Sequence, residues 1–298
     1  MLLNASGCLD GLAAPDVVGQ LDAFVTKTVT PLPRGGHEPV RIAETEVGML
    51  NAIGLANSGI ERFMAESLPR LVELGKPLWV SVGGFAAAEF ADLCGQLDSR
   101  PEVSVLELNL SCPNVESLPE GVPAVVAAAR AATSKPLFAK LSPAVPDLAE
   151  TARAVQAAGV DGLSLVNTLR GLALDERTLR PVLAVGVGGL SGPALKPIAL
   201  AAVFQAYRAT GLPIVGMGGV RTGRDAWELI AAGAEAVALG TVLFADPGAP
   251  DRIRTELAAE AAAVGVDRPE NGRGLAHAER HRQTPSLDPR LRVASSVA

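Results

Sequence analysis

The amino-acid sequence predicts an α/β fold, a single (β/α)8 or TIM barrel that covers residues 1–265. Eight short apolar segments of β-type composition alternate along the chain with longer Ala- and Leu-rich segments. The short segments are almost continuously apolar, which is typical of parallel strands covered by helices on both faces. Eight repeats favour a closed barrel over the alternative, an open doubly wound sheet. With 298 residues, 48% of them hydrophobic, the chain can bury such a core.

The repeats can be followed in order along the chain. The predicted strands are residues 1–6, 24–30, 77–83, 103–111, 136–142, 160–167, 212–218 and 234–240. The predicted helices are residues 61–74, 86–98, 121–133, 146–158, 195–210, 223–233 and 249–264. The connection between the first two strands, around "PDVVGQLD", is shorter than the others.

Two segments depart from this alternation. Residues 45–59, "TEVGMLNAIGLANSG", combine glycines and asparagines without a clear period, so we predict a structured loop there. Asn51 and Asn57 either hold that turn or present amide groups to a planar polar ligand. From residue 266 to residue 298 the sequence is polar and rich in turn formers, which predicts a loosely ordered, flexible C-terminal tail.

Charge and cysteine content exclude several classes of function. The net charge of −6 and a pI near 5.2 make binding to nucleic acid improbable, although backbone amides can still hold a single phosphate. Three cysteines without a CxxC motif predict neither a disulfide framework nor a metal site. The N-terminus does not resemble a secretory signal, and no apolar run is long enough to span a membrane. We therefore expect a cytoplasmic protein with free thiols and no membrane contact.

Polar residues and glycines follow all eight predicted strands at the same end. In a (β/α)8 barrel this end carries the active site. Taken singly, each has an ordinary explanation, because a lysine can be solvated, an asparagine can cap a helix and a glycine can form a turn. Their occurrence at every strand end predicts a functional site there. They are Ser6, Gly7, Lys27, Ser81, Gly83, Asn109, Cys112, Asn114, Lys140, Asn167, Thr168, Gly218, Gly219, Gly240 and Thr241.

Three glycine-rich stretches come after the last three strands. They are "GVGGLSG" (186–192), "GMGG" (216–219) and "LGT" (239–241). Glycine allows backbone N–H groups to approach a ligand closely, and these loops form the usual phosphate site of such barrels. We therefore predict a phosphate-bearing cofactor or substrate. No GxGxxG follows the first strand, which disfavours a Rossmann dinucleotide site.

Five motifs in order resemble one family. "GMLNAIGLANSG", "LNLSCPNV", "VNTLRG", "GGLSGPALKPIAL" and "PIVGMGGVRTGRDAWELIAAGAEAVALGT" resemble class 1 dihydroorotate dehydrogenase. The resemblance implies an FMN enzyme on a (β/α)8 barrel that oxidises dihydroorotate in pyrimidine biosynthesis. The Cys of "SCPN" is similar to class 1, since the membrane-associated class 2 enzymes have Ser there. "NAIGL" with "ETEVGM" is most similar to type B, whose catalytic subunit pairs with an FAD/iron–sulfur subunit that passes electrons to NAD.

The resemblance also implies roles for individual residues. Cys112 would be the general base that takes a proton from C5 of dihydroorotate while hydride leaves C6 for the flavin. Substrate would be bound by Lys27, Asn51, Ile53, Gly54, Leu55, Asn109, Asn114, Asn167 and Thr168. FMN would be bound by Ser6, Lys27, Thr28, Ser81, Asn109, Lys140, Val166, Gly192, Gly218, Gly219, Gly240 and Thr241.

Some positions depart from the family pattern. His37 and Ser81 stand where asparagine is usual, Ser58 replaces a usual proline, and the loop after Val115 is short. Two alternatives stay open: a related FMN barrel that acts on another dihydropyrimidine, and a flavin-binding paralogue without turnover. The assembly is expected to be a homodimer or a heterotetramer, and the natural electron acceptor is left open.

Overall fold

The computed structural model describes residues 1–110 and 121–278. Its strands are β1 (Leu2–Asn4), β2 (Phe24–Val25), β3 (Ile42–Thr45), β4 (Gly48–Asn51), β5 (Leu78–Val82), β6 (Val103–Asn109), β7 (Leu137–Leu141), β8 (Gly162–Leu165), β9 (Leu169–Gly171), β10 (Gly188–Ser191), β11 (Ile214–Met217) and β12 (Ala236–Leu239). Eight of them form one parallel sheet in the order β1-β12-β11-β8-β7-β6-β5-β2. The eight predicted strands all correspond to strands of this sheet.

The two ends of this sheet meet and close it into a barrel. Leu3 and Ala23 form a parallel bridge between β1 and the start of β2. The Asn4 side chain strengthens the junction, because its Nδ2 donates to Val25 O at 2.7 Å and its Oδ1 accepts from Val25 N at 2.9 Å. The predicted (β/α)8 barrel is confirmed, and the open doubly wound sheet is excluded.

Helices surround the barrel and follow the predicted periodicity closely. They are α1 (Pro15–Gly19), α2 (Ile60–Arg62), a π-helical turn (Phe63–Ser67), α3 (Leu68–Val72), α4 (Ala87–Asp98), α5 (Gly121–Ala132), α6 (Leu148–Ala157), α7 (Lys196–Thr210), α8 (Gly223–Ala232), α9 (Val242–Ala245) and α10 (Ala249–Ala263). Local signals set several ends: Thr222 and Asp225 form a capping box at the start of α8, and Gly211 ends α7 in the left-handed conformation. No helix within the described ranges is long and apolar enough to cross a membrane.

A second, smaller sheet lies over the carboxyl end of the barrel. It is antiparallel, with the order β3-β4-β10-β9 and the register Ile42 to Asn51 and Leu50 to Leu190. The prediction of a loop over residues 45–59 was therefore wrong for β4. This strand is specified by pairing with β10, more than 130 residues away, and short-range sequence patterns do not reveal such a partner.

The inside of the barrel has an apolar lower layer beneath the site. The rings of Trp79 and Phe138 lie 4.8 Å apart, with Val105 in the same cluster. Gly162 makes room for this layer, since a Cβ there would lie 2.3 Å from the Phe138 ring. These side chains fill the lower interior, beneath the site at the carboxyl ends of the strands.

Residues 266–278 also pack on the barrel, through two 3-10 turns at Pro269–Gly272 and Leu275–His277. The His277 ring stacks on Phe204 at 4.0 Å, and Gly272 lies against Trp227. The packed part of the chain thus extends past the predicted boundary at residue 265. The prediction of a flexible tail stays a prediction for residues 279–298, which lie outside the described residues.

Candidate active site

A cavity of about 390 Å³ opens at the carboxyl ends of the barrel strands, beneath the small sheet. Residues from nearly every barrel strand and from the hairpin β3–β4 line it. Of the residues predicted to bind substrate or cofactor, the lining includes Ser6, Lys27, Thr28, Asn51, Ile53, Gly54, Leu55, Asn109, Lys140, Val166, Asn167, Thr168, Gly192, Gly218, Gly219, Gly240 and Thr241. Residues far apart in sequence thus surround one space because the parallel strands all end there.

A chain of hydrogen bonds crosses the floor of this cavity, with Thr28 at its centre. The Thr28 hydroxyl lies 3.1 Å from Ser81 Oγ and accepts from Asn109 Nδ2 at 3.1 Å. Asn109 Oδ1 in turn accepts from Asn167 Nδ2 at 3.2 Å. Ser81 is fully buried behind Thr28 and does not line the cavity. These bonds hold the Asn109 and Asn167 amides in fixed orientations. The amide donors and acceptors that remain available can then form hydrogen bonds with the polar edge of a bound ring.

Two lysines line the cavity: Lys27 follows β2 and Lys140 lies on β7, and β5 and β6 separate these two strands in the barrel. Gly7 lies against the Lys27 side chain, where a Cβ would come 3.0 Å from Nζ; Gly7 has φ +79°. Lys140 is 5% exposed, and its Nζ lies 3.8 Å from Glu107 Oε1. Two ammonium groups in one cavity favour an anionic or electron-rich ligand.

The loop after β4 brings backbone groups to the cavity. Asn57 shapes the loop: its Oδ1 accepts from Gly59 N at 2.8 Å, and its Nδ2 donates to Thr30 Oγ1 and to Leu55 O, each at 2.7 Å. Of the two roles open for Asn57, the structure thus supports the turn. Asn51 lines the cavity while its Nδ2 donates to Gly189 O at 3.3 Å.

Left-handed backbone lies at the tip of this loop, with Gly54 at φ +73° and Leu55 at φ +57°. A non-glycine residue in this region is strained, and surrounding contacts must hold it. The His37 N–H donates to Ile53 O at 3.1 Å, and Arg34 Nε donates to Gly54 O at 3.3 Å. The segment 34–37 therefore holds the tip in place.

Glycines form another wall of the cavity. Gly218 and Gly219 have φ values of +124° and +74°, and a Cβ on Gly219 would lie 2.9 Å from Lys196 N and 3.0 Å from Gly192 O. Gly240 differs, because its nearest neighbour would be Cys8 Sγ at 3.8 Å. Protein packing thus does not require glycine at 240, and the open space on this wall fits a ligand that approaches the backbone.

The Lys196 side chain supports this wall from outside. Its Nζ lies 2.5 Å from Asp225 Oδ1 and 2.7 Å from Glu228 Oε2. Burial opposes the charge on Lys196, but the hydrogen bonds to both carboxylates prevail and raise its pKa. The cation therefore stays charged and ties the start of α7 to α8 across the glycine loop.

The cysteines occupy different environments. Cys112 and Asn114 lie outside the described residues, so their predicted roles stay predictions. Burial raises the pKa of the Cys8 thiol, against the opposing charges of Lys140 and Lys27. Cys94 is buried on α4, where burial raises its thiol pKa to about 12. The residues that the structure describes contain no group of His, Cys, Asp and Glu side chains that could hold a metal ion.

Sequence reasoning missed several residues that line the cavity: Cys8, Arg34, Met49, Ser191 and Phe244. Cys8 had a readable signal, since it lies just after the polar end of the first strand. Met49 and Ser191 belong to the small sheet, whose pairing is not visible in the sequence. Arg34 lies in "PLPRGGHEPV", a stretch without a period, and nothing there distinguishes it from a surface arginine.

The fold and the cavity together define a class: (β/α)8 barrel enzymes that hold a polar, phosphate-bearing ligand at the carboxyl ends of their strands. The chain belongs to the dihydroorotate dehydrogenase family, because the sequence model of that family matches residues 1–260.

Relatives with known names agree with this membership. Three proteins named dihydroorotate dehydrogenase B (NAD(+)), catalytic subunit, are similar to the chain. The one from Desulforudis audaxviator is 46% identical over 249 residues, 81% of this chain and 81% of the relative. The one from Pelobacter propionicus is 48% identical over 78% of this chain and 79% of its own length. The one from Geobacter metallireducens is 45% identical over 86% of this chain and 87% of its own length.

A solved structure shares the fold. The ligand-free dihydroorotate dehydrogenase of Eimeria tenella superimposes with a TM-score of 0.78, covering 93% of this chain and 89% of that one. At 23% sequence identity this likeness concerns the fold alone.

Proposed function

We propose that the chain oxidises (S)-dihydroorotate to orotate with FMN as the hydride acceptor, as a step of UMP biosynthesis. The observation that carries the proposal is the lining of the cavity in a member of this family, which combines asparagine amides, two lysines and glycine-rich loops. Orotate is a planar ring of alternating amide donors and acceptors with one carboxylate. Asparagine side chains match its edge, and ammonium groups and oriented backbone N–H groups suit its carboxylate.

The residues present fit FMN. Gly192, Gly218, Gly219, Gly240 and Thr241 would hold its ribityl chain and phosphate, and the room left at Gly240 supports this assignment. Bound FMN supplies a two-electron acceptor for the substrate's hydride. Lys140 would lie near the N1–O2 side of the ring, where its charge favours the negative charge that reduction brings.

The substrate side of the cavity has its own set of groups. Lys27 would lie between the flavin and the substrate carboxylate, and the backbone at 53–55 would contribute N–H groups to the same carboxylate. Asn51, Asn109, Asn167 and Thr168, together with Asn114, would bind the pyrimidine edge. Because hydrogen bonds within the protein already orient Asn109 and Asn167, binding needs little rearrangement of these side chains.

Proton removal from C5 is assigned to Cys112. A carbon acid of this kind needs a base with a pKa near the working pH, and an unperturbed thiol at about 8.5 needs only modest tuning. A positioned base contributes roughly 10²–10⁴-fold to the rate.

The experiment is to purify the chain, add FMN, and follow the visible spectrum and dihydroorotate turnover with an artificial dye. We expect stoichiometric flavin and bleaching by dihydroorotate without oxygen, and a poor response to dihydrouracil, which lacks the carboxylate. A protein that stays colourless with added FMN would contradict the proposal. Faster turnover of dihydrouracil would support the alternative of another dihydropyrimidine, and bound flavin that no substrate bleaches would support a non-catalytic paralogue.

Cys112→Ala tests the base. The variant should keep FMN bound and lose at least about 100-fold in turnover, because positioned bases contribute that much. Cys94→Ala is the matched control, since Cys94 is a buried thiol on the outer helix α4 and should leave turnover unchanged. Turnover in Cys112→Ala close to that of the control would exclude Cys112 as the base.

The chain is expected to work with a partner subunit, as the name "catalytic subunit" of its relatives implies. We propose the finer assignment of an FAD/iron–sulfur subunit that passes electrons to NAD, within a heterotetramer built on a dimer of this chain. In the described ranges, most of the exposed large hydrophobic side chains lie in or beside the segments that form the small sheet, which supports a protein contact there. They are Val40, Ile42, Val47, Leu172, Leu174, Leu179, Val185 and Val187. A second, iron-coloured subunit that co-purifies would support this assembly. A cytoplasmic location, which the unpaired cysteine pattern favours, belongs to the same proposal.

A further inference from the structure

A carboxylate side chain, that of Glu107, lies inside the barrel and has no role so far in binding substrate or cofactor. Glu107 is on β6, between Val105 of the apolar lower layer and Asn109 of the cavity, and side chains two residues apart on a strand share one face. Its register neighbours are Ser81 on β5 and Phe138 on β7. The residue is 1% exposed.

The surroundings of Glu107 leave it incompletely satisfied. Within the described part of the chain, its Oε1 accepts no hydrogen bond, and Lys140 Nζ lies 3.8 Å away. This separation is an ion-pair distance and too long for a hydrogen bond. The pair therefore holds Lys140 electrostatically without using one of the three donors of its ammonium group.

A carboxylate in this position is costly for folding. Moving an ionised carboxyl group from water to a site beside Phe138 and Val105 costs several kcal/mol, which a loose ion pair offsets only in part. An apolar side chain of similar size would suit the lower layer better. Retention of a charge there is therefore explained best by an effect on Lys140, the cavity-lining cation with which it pairs.

We propose that Glu107 is a positioning residue that acts through Lys140: it anchors the ammonium group at the cavity wall and partly neutralises it, and so sets the reduction potential of bound FMN. The proposal rests on the proposed function, since it requires FMN beside Lys140. Glu107 touches neither substrate nor cofactor in this scheme. Its influence is the electrostatic field that the Lys140–Glu107 pair presents to the ring.

The sign of the effect follows from charge. Reduction adds negative charge to the flavin, and Lys140 would stabilise that charge more strongly without the Glu107 carboxylate beside it than with it. Removal of the Glu107 charge should therefore favour reduced FMN and raise its potential. The natural pair keeps the potential lower, which helps the reduced cofactor to pass its electrons onward.

The test uses the FMN-loaded full chain with Glu107→Gln, which keeps the size of the side chain and removes its charge. At a fixed potential set by a reference dye, we expect the ratio of reduced to oxidised flavin to rise about tenfold. For a two-electron couple this corresponds to about +30 mV. Sulfite, which adds an anion to the flavin, should bind about tenfold more tightly for the same reason.

Glu102→Gln is the matched control. Glu102 lies just before the other end of the same strand, where it accepts hydrogen bonds from Arg100 at 3.0 and 2.6 Å. Its replacement makes the same chemical change far from the cavity and should leave the potential and the sulfite affinity at wild-type values.

Comparison in a Lys140→Gln background separates a path through Lys140 from a direct effect. If Glu107 acts through Lys140, adding Glu107→Gln to that variant should change the reduced-to-oxidised ratio less than about threefold. A tenfold change in both backgrounds would overturn the positioning role. Glu107→Asp serves if the glutamine variant does not fold: the shorter carboxylate should raise the potential by a smaller amount, and an unchanged value would overturn the proposal.

The role of Glu107 and the proposed function can fail separately. Wild-type protein that binds FMN and is bleached by dihydroorotate, with a Glu107→Gln potential equal to wild type, overturns the role of Glu107 alone. Wild-type protein that binds no FMN overturns the proposed function and this inference with it.

Discussion

At the scale of single side chains, Thr28 helps to set the geometry of the cavity. Its one hydroxyl group meets Ser81 Oγ at 3.1 Å and Asn109 Nδ2 at 3.1 Å, and Ser6 Oγ lies 3.4 Å away. The residue is 2% exposed, so water cannot easily replace these contacts. The orientation of the Asn109 amide, and through it that of Asn167, depends on this hydroxyl.

Thr28→Val tests that dependence, because valine has nearly the same shape and no hydroxyl group. The loss leaves buried donors without a partner at a cost of about 1–3 kcal/mol, which predicts a fivefold to 150-fold loss in kcat/KM for dihydroorotate or in FMN affinity. Flavin titration and steady-state kinetics measure the two effects separately. Thr28→Ser retains the hydroxyl group and should recover most of the loss; equal behaviour of the two variants would contradict the network argument.

The same residues show what a sequence can and cannot reveal about a site. Lys27, Asn109 and Lys140 were predicted because a polar group at the end of an apolar strand is unusual and the barrel determines where that end lies. The position of Ser81 behind Thr28 was not predictable, since it depends on a hydrogen bond between two strands. Glu107 was not predicted from "VSVLELN", because the pattern around an isolated acid in a strand does not distinguish a solvent-facing side chain from one inside the barrel.

Among the loops, the glycine turn after β11 combines two separate requirements. Gly219 has φ +74°, which any L-residue adopts at a cost of about 1–2 kcal/mol, and it also lies against Lys196 N and Gly192 O. Gly211, at the end of α7, has φ +66° but would meet no atom within 4 Å if it carried a Cβ. The two positions therefore share the backbone requirement and differ in the steric one.

Replacing each glycine by alanine separates these requirements. Gly211→Ala should lower the free energy of unfolding by about 1–2 kcal/mol and leave FMN affinity unchanged. Gly219→Ala should cost more and weaken FMN binding at least about tenfold, because the turn must move away from α7 to admit the methyl group. Thermal denaturation and flavin titration of both variants provide the comparison. Wild-type FMN affinity in Gly219→Ala would show that this turn does not form the cofactor wall.

Local periodicity was a good guide to the elements that local contacts specify. The predicted helices agree with α4, α5 and α7 to within a residue or two at each end, since their apolar spacing and caps lie within the segment. The hairpin β3–β4 was not predicted because it packs on β10, and its sequence "TEVGMLNAIG" carries glycines that usually mark loops. Non-local pairing thus accounts for the part of the site roof that the sequence did not reveal.

At the scale of the whole barrel, one end carries the functional site and the other end carries contacts that stabilise the fold. The carboxyl end holds the cavity, whereas the last described segment ties together elements at the opposite end. Arg273 is central to that contact: its Nε donates to Gly233 O at 3.0 Å, its Nη2 to Leu212 O at 2.9 Å, and its Nη1 to Glu235 Oε2 at 3.0 Å. These partners join the end of α8 to the starts of β11 and β12.

Because the two ends of the barrel are separate, Arg273→Ala should lower the free energy of unfolding without changing FMN binding or the flavin potential. The variant leaves two carbonyl groups with lost partners, which should cost about 2 kcal/mol and lower Tm by roughly 4–8 °C. FMN affinity and the flavin potential should keep their wild-type values because the cavity lies at the other end of the barrel. Arg268→Ala is the matched control, since Arg268 is exposed and lies in the same segment. A fall in FMN affinity in Arg273→Ala measured well below its Tm would show that the two ends are coupled.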